Sequence, residues 1–148
     1  MGIISIIIGL FGCENEPEYT VADIKSFSVS CGSMDNRQSY SFKIFQESDS
    51  WIFCGECITS ETENVSSFEK QIKNDEAEKL LNLVENSNLI SVLFNYRKPF
   101  KKIFVSDETS YFSTIVFSDG FSVSAPIFAG QDIERTFRSF AENTVSTR

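Results

Sequence analysis

The stretch from Tyr111 to Ala125, YFSTIVFSDGFSVSA, leaves the chain few ways to fold. Asp119-Gly120 separates two runs rich in β-branched and aromatic residues. An Asp-Gly pair there favours a two-residue type I′ loop, because both central residues of that loop need positive φ. Such a loop predicts Ser118 opposite Phe121, Val116 opposite Val123 and Thr114 opposite Ala125. Side chains alternate along a strand, so Phe112, Thr114, Val116, Phe121, Val123 and Ala125 are expected on one core-facing side. Ile115, Phe117, Ser122 and Ser124 then share the other side. A lone hairpin is marginal in water, so the rest of the chain must supply more strands and helices to cover it.

The rest of the chain offers both. From Val21 to Cys31 the pattern is strand-like, with Lys25, Phe27, Val29 and Cys31 alternating with Ser26, Ser28 and Ser30. Tyr40, Phe42 and Ile44 alternate with Ser41, Lys43 and Phe45. After a turn at Ser48-Asp49-Ser50, Trp51 to Ile58 forms a third strand. Trp51, Phe53 and Cys57 fall on one side of it, with Ile52, Cys54 and Ile58 on the other. Thr59 to Ser67 is polar and reads as a loop, and Phe68 to Ile72 as a short fourth strand. A helix is predicted over about 75–86, where Asp75 and Glu78 have capping-box spacing and Ala77, Leu80, Leu81 and Val84 form an apolar stripe. Leu89 to Asn95 is apolar and is expected to return to the sheet. Beyond Pro126 and Gly130, a second helix over about 131–142 places Ile133, Phe137, Phe140 and Ala141 on its core side. This order predicts the α+β class: an antiparallel β-sheet of about five to seven strands with two packed helices. A chain of 148 residues with 15 Phe is long and apolar enough for one core, and 21–145 reads as a single domain.

The N-terminus has a different character. Residues 1–12, MGIISIIIGLFG, form an apolar run too short to span a bilayer, which takes ~20 residues. They read as a signal-peptide-like segment. Leu10-Phe11-Gly12-Cys13 resembles a bacterial lipobox, which implies cleavage before Cys13 and a diacylglyceryl thioether on its sulfur. Phe11 departs from the small residue usual at that place. No Lys or Arg precedes the run, so a basic segment is expected upstream of Met1. Residues 13–20 read as an acidic tether holding a domain off the membrane. The competing readings are a buried strand or helix ending in an ordinary Cys, and a plain signal peptide or anchor.

Composition excludes several function classes. The formal charge is −8 and there is no His. Much acid–base and zinc chemistry relies on His, and no Ser/His/Asp set can be assembled without it. Phosphate contacts need Lys and Arg in quantity, so nucleic acid is not an expected partner. No metal or cofactor is expected. Cys54-Gly55-Glu56-Cys57 has redox spacing, but a continuous strand would point its two thiols to opposite faces. Cys31, Cys54 and Cys57 are alternatively candidates for a structural disulfide, or buried free thiols. Arg97, Lys98, Lys101 and Lys102 form a basic cluster suited to a membrane headgroup or an acidic partner, or simply a solvated loop.

Asp107, Thr109 to Phe112 and Phe117 to Gly120, with the Cys-led tether, resemble a recurrent uncharacterised domain of bacterial lipoproteins. That resemblance implies an extracytoplasmic, lipid-anchored location in the cell envelope and supplies no catalytic residue. The expected function is a non-catalytic module that binds or shields an unknown protein or small ligand. The alternatives are a cytoplasmic acidic inhibitor or immunity-type protein acting on a macromolecule, and a thiol oxidoreductase through Cys54 and Cys57.

Overall fold

The computed structural model describes residues 18–32, 39–58, 65–97 and 110–146. A 3-10 turn at Val21–Asp23 leads into β1 (Ile24–Gly32), followed by β2 (Tyr40–Glu47), β3 (Ser50–Ile58) and β4 (Val65–Ile72). Two helices follow, α1 (Asn74–Asn86) and α2 (Leu89–Phe94). Then come β5 (Ser110–Phe117), β6 (Ser122–Ala125) and α3 (Gln131–Ser146). The strands form one six-stranded sheet in the order β4-β3-β2-β1-β5-β6. Every neighbouring pair is antiparallel. The α+β class and the two expected helices are therefore present, with α2 in addition.

Alternation explains which side is covered. Phe27 lies opposite Ile44 and Ile115, and Ile44 lies opposite Phe53, so one row of apolar side chains crosses the sheet on a single face. Helix α3 lies on that face. Phe137 is fully buried, with ring centroids 5.7 Å from Phe27, 5.6 Å from Phe42 and 6.1 Å from Phe53. Ile133, Phe140 and Ala141 are buried beside it, as the helical spacing predicts. Ala77, Leu80 and Val84 of α1 complete the layer, with Leu81 half-buried at its margin.

Four local expectations are corrected. First, the hairpin loop holds three residues, not two. Ser113 pairs with Ala125, Ile115 with Val123 and Val116 with Ser122. The Gly120 N–H donates to the Phe117 carbonyl at 2.9 Å, and Gly120 alone in the loop has positive φ, at 91°. This is a type I turn closed by a left-handed glycine. The added residue moves β5 by one place against β6, so the buried side of β5 is Ser113, Ile115 and Phe117. Phe112 instead faces out and is 45% exposed. Second, the strict alternation expected before Phe27 is broken by a register shift between Ile24 and Ser26. The shift buries Ile24 and leaves Lys25 exposed.

Third, the helix cap lies two residues earlier than expected. The Glu76 carboxylate accepts the Lys73 N–H at 2.9 Å, because the chain leaves β4 at Ile72 and enters α1 at once. Fourth, the segment Leu89 to Asn95 holds α2 and its C-terminal cap rather than a strand. Asn88, at φ 56° and ψ 34°, reverses the chain, and Leu89 and Leu93 are then buried one turn apart. By contrast, the turn between β2 and β3 lies where expected, with Ser48 and Asp49 both at positive φ.

Candidate functional site

The strand directions give the sheet two distinct ends. At one lie the turns 48–49 and 118–120 and the entry of the chain into β1. At the other lie Gly32, Tyr40, Ile58, Val65 and Ser110.

The entry end is closed by a clasp. The Tyr19 ring stacks on Phe117 at 3.9 Å and 12°, with Phe121 at 5.7 Å and Phe94 at 6.0 Å around it. Its hydroxyl donates to Asp119 Oδ2 at 2.6 Å. The Asp23 carbonyl accepts from the Ser118 N–H at 2.8 Å and the Ser118 hydroxyl at 3.0 Å. The Asp23 carboxylate in turn accepts the Thr20 N–H at 2.9 Å. The hydrogen bond to Asp119 pushes the Tyr19 phenol up to about 12. The same bond, with the Phe121 N–H on the other oxygen, holds the Asp119 carboxyl below its usual range. The acidic tether expected over residues 13–20 therefore ends before Tyr19, and an aromatic ring amid acids is the sequence signal that it docks.

The opposite end carries a row of titratable side chains on the helix-covered face. Tyr40 lies opposite Cys31 on β1 and opposite Cys57 on β3. The Arg138 guanidinium sits over the Tyr40 ring at 5.0 Å and donates from Nε to Glu134 at 3.1 Å. Burial pushes the Tyr40 phenol up, and the Glu134 charge adds to this. Burial also pushes up the thiols of Cys31 and Cys57. Beside this row runs a groove of about 570 Å³ along α3, whose described lining is Gln131, Glu134, Arg135, Arg138, Ser139 and Glu142. Arg138 was not singled out by sequence reasoning, since nothing in its spacing ties it to Tyr40.

The cysteine geometry is specific. Cys31 and Cys57 share a face but have β2 between them, so their strands lie ~10 Å apart, against the ~7 Å Cα limit for a disulfide. Cys54 points to the other face, where Lys43 lies opposite it. All three are free thiols. Burial raises the Cys54 thiol as well, the reverse of an activated nucleophile. Gly55 does not mark a turn inside the Cys54 to Cys57 motif. A Cβ there would lie 2.7 Å from Phe42 Cδ1 and 2.7 Å from the Ser41 carbonyl oxygen, so the glycine permits close packing within a continuous strand.

Of the basic cluster, Arg97 is exposed and donates to the Tyr96 carbonyl at 3.2 Å. Lys98, Lys101 and Lys102 lie outside the described residues, as do Cys13 and the segment before it, Asp107 and Thr109. Among the described residues, no group of three or more His, Cys, Asp or Glu side chains is placed to hold a metal. No described helix is long and apolar enough to cross a membrane. No known protein family, curated protein or solved structure matches the chain.

Proposed function

We propose that the chain is a non-catalytic, lipid-anchored extracytoplasmic protein of a bacterial envelope, its α+β domain a module that binds or shields a ligand. The observation that carries this reading is the sequence Leu10-Phe11-Gly12-Cys13, set between an apolar run and an acidic, Pro-containing stretch. The reading is supported by a chain that docks at Tyr19, immediately after that stretch, and by thiols that burial makes poor nucleophiles. The groove beside Arg138 and Glu134 lies at the end opposite the attachment and is the candidate ligand surface. The net charge of −8 favours a second reading, a cytoplasmic acidic inhibitor of a basic macromolecule.

Intact-mass and N-terminal analysis of the protein from its native host, with detergent partitioning, separates the two. An acylated Cys13 at the N-terminus and a detergent-phase protein are expected. An unmodified Met1 on a purely aqueous protein would overturn the lipid anchor and favour the inhibitor.

A further inference from the structure

Tyr19 and the groups that receive it are held in different ways. Residues 18–20 lie before the first strand, and the local hydrogen bonds of this segment stay within it. The Asp23 N–H donates to the Thr20 carbonyl at 3.0 Å, and the Thr20 N–H to the Asp23 carboxylate at 2.9 Å. Tyr19 is tied to the hairpin through its side chain, by the stack on Phe117 and the bond to Asp119. Its receiving groups are fixed by contacts that do not involve it. The Phe117 N–H donates to the Phe121 carbonyl at 2.8 Å, so the hairpin positions both rings. The Phe121 N–H donates to Asp119 Oδ1 at 2.9 Å, which leaves Oδ2 for the Tyr19 hydroxyl. Phe94 is carried by α2, which is anchored by buried Leu89 and Leu93, and its ring stacks on Phe121 at 5.9 Å and 9°.

We propose that Phe94, Phe117, Phe121 and Asp119 form a binding slot for a phenol ring, in which Tyr19 is an exchangeable occupant that the tyrosine side chain of a partner protein can replace. The occupant displays the chemistry that the slot takes. A flat ring lies 3.9 Å from Phe117 with 12° between planes, which suits offset stacking. An O–H at its far end meets a carboxylate already ordered by the hairpin, a charge-assisted hydrogen bond that a phenyl ring or an aliphatic side chain cannot make. Phe117 is fully buried with Tyr19 upon it, so the departure of Tyr19 uncovers apolar surface that a second ring covers again. Phe121 at the rim is 47% exposed while Tyr19 is docked, so an incoming chain meets an apolar contact before it displaces anything. The short link to β1 keeps Tyr19 at an effective concentration of order millimolar, so a free phenol competes poorly. A polypeptide that also covers Phe121 competes well. This slot is separate from the groove along α3, and it does not depend on how the chain is anchored.

The test is an NMR titration of the full chain with p-cresol, the tyrosine side chain as a free molecule, and with toluene, which lacks the hydroxyl. Tyr19→Gly vacates the slot, and far-UV circular dichroism verifies its folding. The variant is expected to bind p-cresol saturably, with shifts centred on Phe94, Phe117, Asp119 and Phe121, and to bind toluene more weakly. Wild type is expected to bind p-cresol at least about tenfold more weakly than the variant, because its slot is free only in the minor, undocked state. As p-cresol fills the wild-type slot, the Tyr19 ring resonances, shifted by the stack on Phe117, are expected to move to the values of a free tyrosine. Equal affinities of wild type and variant, toluene binding as tightly as p-cresol, or shifts centred elsewhere would each overturn the proposal. If the glycine variant does not fold, the wild type decides alone. Tyr19 resonances that stay in place up to the solubility limit of p-cresol would then overturn it.

Discussion

Gly55→Ala is a one-methyl change that tests whether Cys54 to Cys57 belongs to a continuous strand. The added Cβ would stand 2.7 Å from Phe42 Cδ1 and 2.7 Å from the Ser41 carbonyl oxygen. Ordinary carbon contacts lie at about 3.5–4.0 Å, so the overlap approaches 1 Å. Neither neighbour can yield easily. The Ser41 oxygen belongs to the β2 backbone. Phe42 is fully buried, with ring centroids 4.9 Å from Tyr40 and 5.6 Å from Phe137. Overpacking of this kind costs about 1–3 kcal/mol. Alanine recovers up to about 1 kcal/mol of the backbone entropy that glycine loses on folding. The net expectation is about 1–2 kcal/mol of destabilisation, a fall in Tm of about 2–8 °C for a chain of this size. Thermal and urea denaturation followed by circular dichroism measure it. In a double-mutant cycle, Phe42→Val, whose side chain ends at Cγ, removes one of the two clashing atoms, so the pair is expected to lose less than the sum of the singles. An unchanged or raised Tm for Gly55→Ala would refute the close packing and reopen a turn that brings the two thiols together.

Three further outcomes are expected. Phe137→Ala removes the ring on which Phe27, Phe42 and Phe53 converge and is expected to cost about 3–5 kcal/mol in urea denaturation; a loss under 1 kcal/mol would contradict the packing. The clasp is pH-dependent at both extremes. Its raised Tyr19 pKa contributes stability that is whole below the ordinary value of 10.0 and lost as pH rises through about 12; its lowered Asp119 pKa contributes stability that is whole above 3.8 and lost as pH falls through the folded value. Tyr19→Phe keeps the ring stack and is expected to flatten both limbs of the urea midpoint plotted against pH, and a profile identical to wild type would exclude the hydrogen bond. Brief alkylation of the folded protein, mapped by mass spectrometry, is expected to label the half-exposed Cys54 before the buried Cys31 and Cys57, and equal rates would refute the assigned faces.

How much of this was legible in the sequence depended on whether a local rule acted alone. The stripes of α1 and α3 were readable because each helix packs one face on the sheet, so spacing and burial coincide at Ala77, Leu80, Phe137 and Ala141. The partner of Asp119-Gly120 was readable, but not the loop length. Asp119 has an occupation other than a type I′ position: its carboxylate accepts from Tyr19, 100 residues earlier in the chain, and from the Phe121 N–H. One added residue then exchanged the faces of β5, which hydropathy alone could not reveal because Val116 and Ile115 are equally apolar. Residues Leu89 to Phe94 were too few for periodicity to separate a helix from a buried strand. At the candidate site, the opposed faces of Cys54 and Cys57 followed from strand alternation. The meeting of Arg138 with Tyr40 depends on how α3 crosses the sheet, a tertiary fact with no local signature.

The clasp also decides how the domain bears load. The chain enters through β1, which lies inside the sheet and is hydrogen-bonded to β2 along Ser26 to Cys31 and to β5 along Ile24 to Gly32. A pull on residue 18, along the strands and away from the body of the sheet, cannot peel β1 off one bond at a time as it would an edge strand. It must first pull Tyr19 from its aromatic stack, then slide β1 lengthwise between two neighbours and break both ladders together. A domain held at this point, with its opposite end gripped, is loaded in shear, the direction in which an antiparallel sheet yields least.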